Sequence, residues 1–293
     1  MLPTTGPGTI RSRPDRCPGV LHPWPAADGA LVRVRLPGGR VGAGALQALV
    51  TLAEEYGDGR VHVTARANLQ LRGMPAGPDG AGDLAPEVVA AVERAGLLPS
   101  RAHDRARNVL VSPQTGLAGG RADLRPVVAD LDRLLLASPV LAGLAGRFLF
   151  VLDDGRGDVA DRHRDLGLVA LSPDTGQLRV GGTWGEVVPL NRAGVVLTGL
   201  AERFLALRGS GPDAPWHVDE LTEPLAPAVP AAPGADVAAA PLAFGAVDGG
   251  EHVEIGPDGI DAAQAAAWAG RTRELVVTPW HGVLVPDAPE VGR

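Results

Sequence analysis

The stretch VHVTARANLQLRG at residues 61–73 returns in outline near the other end of the chain, where LVVTPWHGVLV occupies residues 275–285. Each reads as two short aliphatic runs around a turn, and Thr64 and Thr278 hold the same place in the pattern. A hairpin met twice implies two related halves, and a duplicated scaffold of this kind brackets one shared site.

The residues around each hairpin extend the parallel. In the first unit LVRVRL at 31–36 alternates with period two, PGG at 37–39 makes a turn, and residues 45–56 carry apolar side chains at helical spacing until GDG at 57–59 stops them. Strand, helix and hairpin in that order make half of a ferredoxin-like α+β sandwich. The second unit repeats it: HVEI at 252–255, a PDG turn at 257–259, a helix over 262–269, then the hairpin.

Between the halves the spacing predicts helices over 86–95, 124–137 and 193–207, and strands over 109–112, 147–152, 166–171 and 177–180. Such mixed order fits an α+β layer around one sheet. Residues 222–241 turn rich in proline and alanine and read as an extended linker. The expected domains are therefore 15–76, 84–221 and 242–288, with 222–241 as the link.

Charge narrows the function. The net charge of -7 over 293 residues argues against a general nucleic-acid or membrane-surface binder, yet three arginines and no acid lie between Arg60 and Arg72. A basic patch inside an acidic protein points to a specific anionic ligand. All 27 basic residues are arginine, which GC-rich coding explains as simply as function does. The first 16 residues lack the apolar segment of a secretory signal, and no run reaches the ~18 apolar residues of a membrane helix. The single cysteine, Cys17, rules out an internal disulfide framework and fits a reducing cytoplasm.

Several residues could carry chemistry. Strand alternation places Asn68, Gln70 and Arg72 on one face and Leu69 and Leu71 on the other, with Arg66 in the turn. Guanidinium groups grip carboxylates in pairs, so this face could hold a polyanion; it also fits the solvated side of a half-buried strand. Arg101, Arg105 and Arg107 lead into Asn108 and the apolar strand that follows, either toward a cleft or as a solvated loop. DDGRGDVADRH at 153–163 holds four acids and a histidine; it lacks calcium-loop spacing and fits a structured glycine turn. The histidines show no zinc spacing, and nucleotide-loop and serine-hydrolase motifs are absent, so no metal site is expected.

Taken in order, CPGV at 17–20, ADGALVRVRLPGG at 27–39, TARANLQLRG at 64–73, RNVLVSP at 107–113, GRFLF at 146–150, DDGRGDV at 153–159 and VTPWHGV at 277–283 resemble precorrin-3B synthase, the cobalamin-pathway branch of the nitrite and sulfite reductase superfamily. The resemblance implies two ferredoxin-like half domains flanking a siroheme-type α+β domain. It further implies that Arg66, Asn68, Gln70, Arg72 and Asn108 face tetrapyrrole carboxylates across a cleft shared with Arg107. Arg107 and Arg147 would be its catalytic cations, Arg147 standing where the reductases have the first of two lysines and Leu149 replacing the second. The implied reaction is oxygen-dependent hydroxylation of precorrin-3A with lactone formation. The family uses a [4Fe-4S] cluster, with siroheme iron in the reductase relatives, and its cluster cysteines, in C-x5-C and C-x3-C pairs, follow the Thr-Pro-Trp strand. Cys17 alone supplies no such set. The expectation is thus an enzyme working with an electron donor or a complementing cluster-bearing chain, or a non-catalytic or truncated tetrapyrrole-binding relic.

Overall fold

In the computed structural model, residues 15–75, 83–211 and 214–287 are described. The segment read as lacking a secretory signal falls almost wholly outside them, as do the end of the first unit at 76 and the last six residues. The chain forms β1 (Trp24–Ala26), β2 (Gly29–Val34), β3 (Arg40–Gly42), α1 (Ala43–Tyr56), β4 (His62–Val63) and β5 (Leu69–Met74). Next come α2 (Pro86–Arg94), β6 (Val109–Val111), α3 (Arg125–Ala137), β7 (Phe150–Asp153), β8 (Leu166–Ala170), β9 (Thr175–Val180), β10 (Thr183–Pro189) and α4 (Leu190–Arg208). The last unit holds β11 (Gly245–Val247), β12 (Gly250–Glu254), α5 (Ala262–Ala269), β13 (Glu274–Thr278) and β14 (Gly282–Pro286). No described helix is long and apolar enough to cross a membrane.

The architecture is α+β, with three sheets. The first runs β1-β2-β5-β4, the second β11-β12-β14-β13-β3, both antiparallel. The third runs β10-β9-β8-β7-β6, parallel from β6 to β8 and antiparallel beyond. β3 leaves the first unit and pairs with β13 of the last, opposing Val41 to Leu275, while Val61 bridges to Ile260. The two half domains are thereby joined edge to edge. α1 packs on α5, and Leu46, Leu49 and Val50 share one core with Leu69, Leu275, Val283 and Trp268.

Local chemistry explains the boundaries. α1 turns Leu46, Leu49, Val50 and Ala53 inward at helical spacing and stops at Gly57, whose N–H donates to the Ala53 carbonyl at 2.8 Å. Asp261 caps α5 by accepting from the Gln264 N–H at 2.8 Å. In the third sheet strand alternation divides two environments. Leu110 and Val151 face the shared core of the half domains, whereas Val109, Val111, Phe150 and Leu152 pack with α3 and α4 around Phe148 and Phe204.

Two sequence expectations change. β10 was not foreseen, because Gly181, Gly182 and Gly185 interrupt its pattern. Residues 222–241 are not a free link either: part of that stretch is strapped to the middle domain. Gln177, buried on β9, donates to the Pro230 carbonyl at 2.9 Å and accepts from the Ala232 N–H at 2.7 Å. Val229 N–H reaches the Trp184 carbonyl, Arg121 the Gly234 carbonyl and Ala239 N–H the Gly157 carbonyl. Backbone groups in a proline-rich strand have no neighbours in a ladder, so side chains and loops of the sheet satisfy them.

Candidate functional site

The turn between β4 and β5 is closed by its own backbone. Thr64 N–H donates to the Asn68 carbonyl at 3.0 Å, Ala67 N–H to the Thr64 carbonyl at 2.9 Å, and Thr64 Oγ1 accepts from Asn68 N–H at 3.1 Å. Ala67 completes it in the left-handed region at φ 55. This geometry lifts Arg66 out of the sheet toward the middle domain, where its Nη1 donates to the Arg147 carbonyl at 3.0 Å.

A second guanidinium arrives from β2. Register places Arg33 opposite Gln70, and Arg33 Nη2 donates to Gln70 Oε1 at 3.1 Å. Arg147, just before β7, supplies the third, with its guanidinium 4.6 Å from the centre of the Trp216 ring. Cys17 stands among them, half-buried. Burial lowers the Arg33 and Arg66 pKa values, and each is lowered further by a neighbouring guanidinium: Arg66 acts on Arg33, and Arg147 on Arg66. The Cys17 thiol is pushed up, first by burial and then by Asp15, against the pull of Arg147 and Arg66. The Nε atoms of Arg33 and Arg147 are buried without a hydrogen-bond partner among the described residues. Three like charges held together in a half-buried face, with donors left over, have the chemistry to receive a multivalent anion.

The other predicted residues divide. Gln70 belongs to this face through Arg33. Asn68 does not: it is 1% exposed, accepts from the Leu36 N–H at 2.9 Å and donates to Asn108 Oδ1 at 3.4 Å. Asn108 is likewise internal, donating to the carbonyls of Gly146 at 2.8 Å and Arg105 at 3.2 Å. Both asparagines brace the layer beneath the arginines. Arg72 lies on the outer rim, bound to Asp28 at 3.0 Å. Buried Arg107 makes a paired contact with Asp132 of α3 at 2.6 and 2.8 Å, and this half-buried carboxylate neutralises it. Arg66 thus meets Arg147 and not Arg107.

Arg33 escaped the sequence reading although it sits in a recognised alternating strand; only the β2 to β5 register reveals that it meets Gln70. Arg35, 3% exposed, is structural: it donates to the carbonyls of Pro18, Asp104 and Gly146, and burial lowers its pKa to about 10. The acidic loop after β7 is a self-capped turn. Asp153 accepts from the N–H groups of Gly155, Gly157 and Val159, Asp154 binds Arg156, and Asp158 accepts from the Ser112 hydroxyl at 2.7 Å. Burial raises the Asp158 pKa to about 7. Among the described residues no group of three or more histidine, cysteine or acidic side chains is placed to hold a metal.

Residues 24–77 match the nitrite/sulfite reductase ferredoxin-like half domain. The structure of Mycobacterium tuberculosis NirA has the same fold, with a TM-score of 0.69 at 19% identity over 89% of this chain and 54% of that one. These likenesses lie within the nitrite/sulfite reductase superfamily. Within it, the chain is 34% identical to a precorrin-3B synthase of Sinorhizobium sp over 189 residues, 62% of this chain and 39% of the relative. It is 27% identical to the ferredoxin–nitrite reductase of Leptolyngbya laminosa over 150 residues, 49% of this chain and 28% of that enzyme. The match thus spans well under half the length of these curated relatives.

Proposed function

We propose that this chain is a precorrin-3B synthase-like oxidoreductase module of corrin biosynthesis, binding a polycarboxylate tetrapyrrole against Arg33, Arg66 and Arg147. The convergence of these three guanidiniums, none matched among the described residues to a carboxylate in the way Arg107 is matched to Asp132, is the observation that carries it. Precorrin-3A offers many carboxylates on one macrocycle, so several charge-assisted contacts can form at once, the cost being the ordering of its acetate and propionate arms. Gln70 steers Arg33, Trp216 supports Arg147, and the turn closed at Ala67 fixes Arg66.

Hydroxylation with lactone formation is the reaction this reading assigns, and the electrons and oxygen for it come from outside the described residues. The family's iron-sulfur cluster does not fit the side chains present: the described residues offer the single thiol of Cys17 and no cluster of metal-ligating groups. No step is therefore routed through it here; a cluster-bearing partner would supply that chemistry.

Fluorescence titration with uroporphyrin tests the site. Arg66→Ala and Arg147→Ala should each weaken binding roughly tenfold or more, in line with loss of a charged hydrogen bond. Arg72→Ala should leave affinity unchanged, and Asp132→Ala should lower stability, not affinity. Equal affinity in the parent and both arginine variants would refute the reading. Turnover of precorrin-3A by the parent, supplied with reductant and oxygen, separates an enzyme from a protein that only binds.

A further inference from the structure

Two further arginines lie on the strapped side of the middle sheet, and nothing in the assignment above uses them. On β9, Leu178 and Val180 pack into the core around α3 and α4. Alternation turns Gln177 and Arg179 to the opposite side, where Gln177 holds the strap through Pro230 and Ala232. Register sets Arg179 between Gly167 of β8, which has no side chain to offer it, and Trp184 of β10. Its guanidinium lies 4.1 Å from the centre of the Trp184 ring, and the Trp184 carbonyl accepts from the strap's Val229 N–H at 3.0 Å. Arg179 Nε is buried without a hydrogen-bond partner among the described residues.

Arg164 comes from the loop before β8. It is 9% exposed, and its Nη2 donates to the Ala160 carbonyl. The carbonyl of the next residue, Asp165, accepts from Gly181 N–H at 2.8 Å, which fixes this loop beside the end of β9. Burial lowers the pKa of both arginines, that of Arg164 to about 10, and the charge of Arg179 is the next cause for Arg164. Asp161, Asp153 and Asp219 act on Arg164 only from a distance. Asp153 is engaged by the N–H groups of its own turn, and Asp219 accepts from Gly182 N–H at 3.0 Å. Arg179 feels Asp236 of the strap, again without contact. Elsewhere in this domain a sheltered arginine is matched, Arg107 by Asp132 and Arg156 by Asp154; among the described residues no ion pair forms at Arg164 or Arg179. Neighbouring cations drawn out of water without a counter-charge are unfavourable, and a bound anion relieves both.

We propose that Arg164 and Arg179 form a second anion site, for a small doubly charged oxyanion of the phosphate or sulfate type, between the loop before β8 and the strapped face of β9. Such an ion accepts from the remaining N–H groups of both guanidiniums and matches their combined charge. It links the loop to β9 and, through Trp184 and Gln177, steadies the strap. The site shares no residue with the face of Arg33, Arg66 and Arg147, and it does not rest on the tetrapyrrole reading.

Inorganic phosphate, titrated into the full chain at constant ionic strength and followed by calorimetry and thermal unfolding, tests the site. The parent should bind a single phosphate saturably and gain in Tm, while chloride at the same ionic strength leaves Tm unchanged. Arg164→Gln and Arg179→Gln should each weaken phosphate binding roughly tenfold or more. Arg179→Lys, which keeps the charge and loses the planar fork, should fall between. Arg66→Ala should bind phosphate as the parent does. Hydrogen exchange on the parent needs no substitution: phosphate should slow amides 178–184 and those of the strap at 229–235, and leave 64–69 unchanged. Should Arg164→Gln fail to fold, Arg179→Gln and this exchange pattern decide. Absence of that protection, or phosphate binding undiminished in Arg179→Gln, overturns the site. Phosphate binding lost in Arg66→Ala, or displaced by uroporphyrin, would assign the ion to the other face and end the proposal while leaving the tetrapyrrole reading intact.

Discussion

The turns that join β4 to β5 and β13 to β14 are two editions of one backbone. Thr64 corresponds to Thr278, and Ala67, at φ 55, to His281, at φ 57, the two described non-glycine residues with positive φ. Their side chains have diverged. Arg66 reaches the Arg147 carbonyl, whereas its counterpart Trp280 receives a cation from the middle domain, the Arg162 guanidinium at 6.0 Å from its ring. Thr64 Oγ1 serves its own turn; Thr278 Oγ1 serves His252, 2.9 Å away. Duplication kept the strain and moved the charge, so one turn carries its own arginine to the middle domain and the other offers an indole to the middle domain's arginine.

Exchanging the residues that follow the left-handed position should separate the two editions most strongly. Gly282 stands where the first turn has Asn68, and a side chain there would fall on His252 Nε2 and crowd Phe244. Gly282→Asn should cost about 3 kcal/mol, combining overpacking with loss of the Thr278–His252 bond. The converse, Asn68→Gly, creates no clash but leaves the buried Leu36 N–H without its acceptor, for roughly 2 kcal/mol. Denaturant unfolding of the two variants measures both; equal losses would mean that the turns differ in sequence and not in function.

Acid should break the second turn before the first. His252 is fully buried, and burial lowers its pKa although its Nδ1 bonds to the Leu242 and Ala243 carbonyls. A depressed folded-state pKa means the native form holds the neutral ring. Its contribution is complete above the unfolded imidazole range, about 6.5, and declines as pH falls through and below it. Hydrogen exchange, corrected for intrinsic rate, should show amides 276–284 losing protection between pH 7 and 5 while amides 64–69 keep theirs. In Thr278→Val the Nε2 acceptor loses its donor, and the protection of 276–284 should already be reduced at pH 7.

How much of this could be read from the chain alone follows the range of the interactions. The hairpins, the duplication and the helix of each unit were legible because alternation, turn residues and Gly57 act within a few positions. Arg33 was not, since its meeting with Gln70 depends on β2 finding β5. The partner of Arg107 was hidden for the same reason: Asp132, which neutralises it, belongs to a helix whose placement no local pattern announces. β3 is three residues long and joins a sheet more than two hundred residues away in sequence, so neither its existence nor the fusion of the half domains had a local signal. The strapped segment looked free because proline and alanine carry no side-chain partners, while Gln177 on β9 holds the groups that bind it.

The smallest expected effect tests whether the retained strain is equivalent in the two turns. A left-handed conformation costs a non-glycine residue roughly 1–2 kcal/mol, which glycine escapes at an entropic cost of about 0.5–1 kcal/mol. At His281 the side chain is exposed, so His281→Gly should gain a net stabilisation of about 0.5 kcal/mol. Ala67 is 1% exposed and belongs to the shared core, so Ala67→Gly also loses a buried methyl worth about 0.8 kcal/mol. The opposing contributions then cancel, and its stability should stay within a few tenths of a kcal/mol of the parent. Thermal unfolding of the two single variants and the double variant decides the matter. A gain at Ala67 as large as at His281 would show that the methyl is not packed, and that the first turn is held by Thr64 and Asn68 alone.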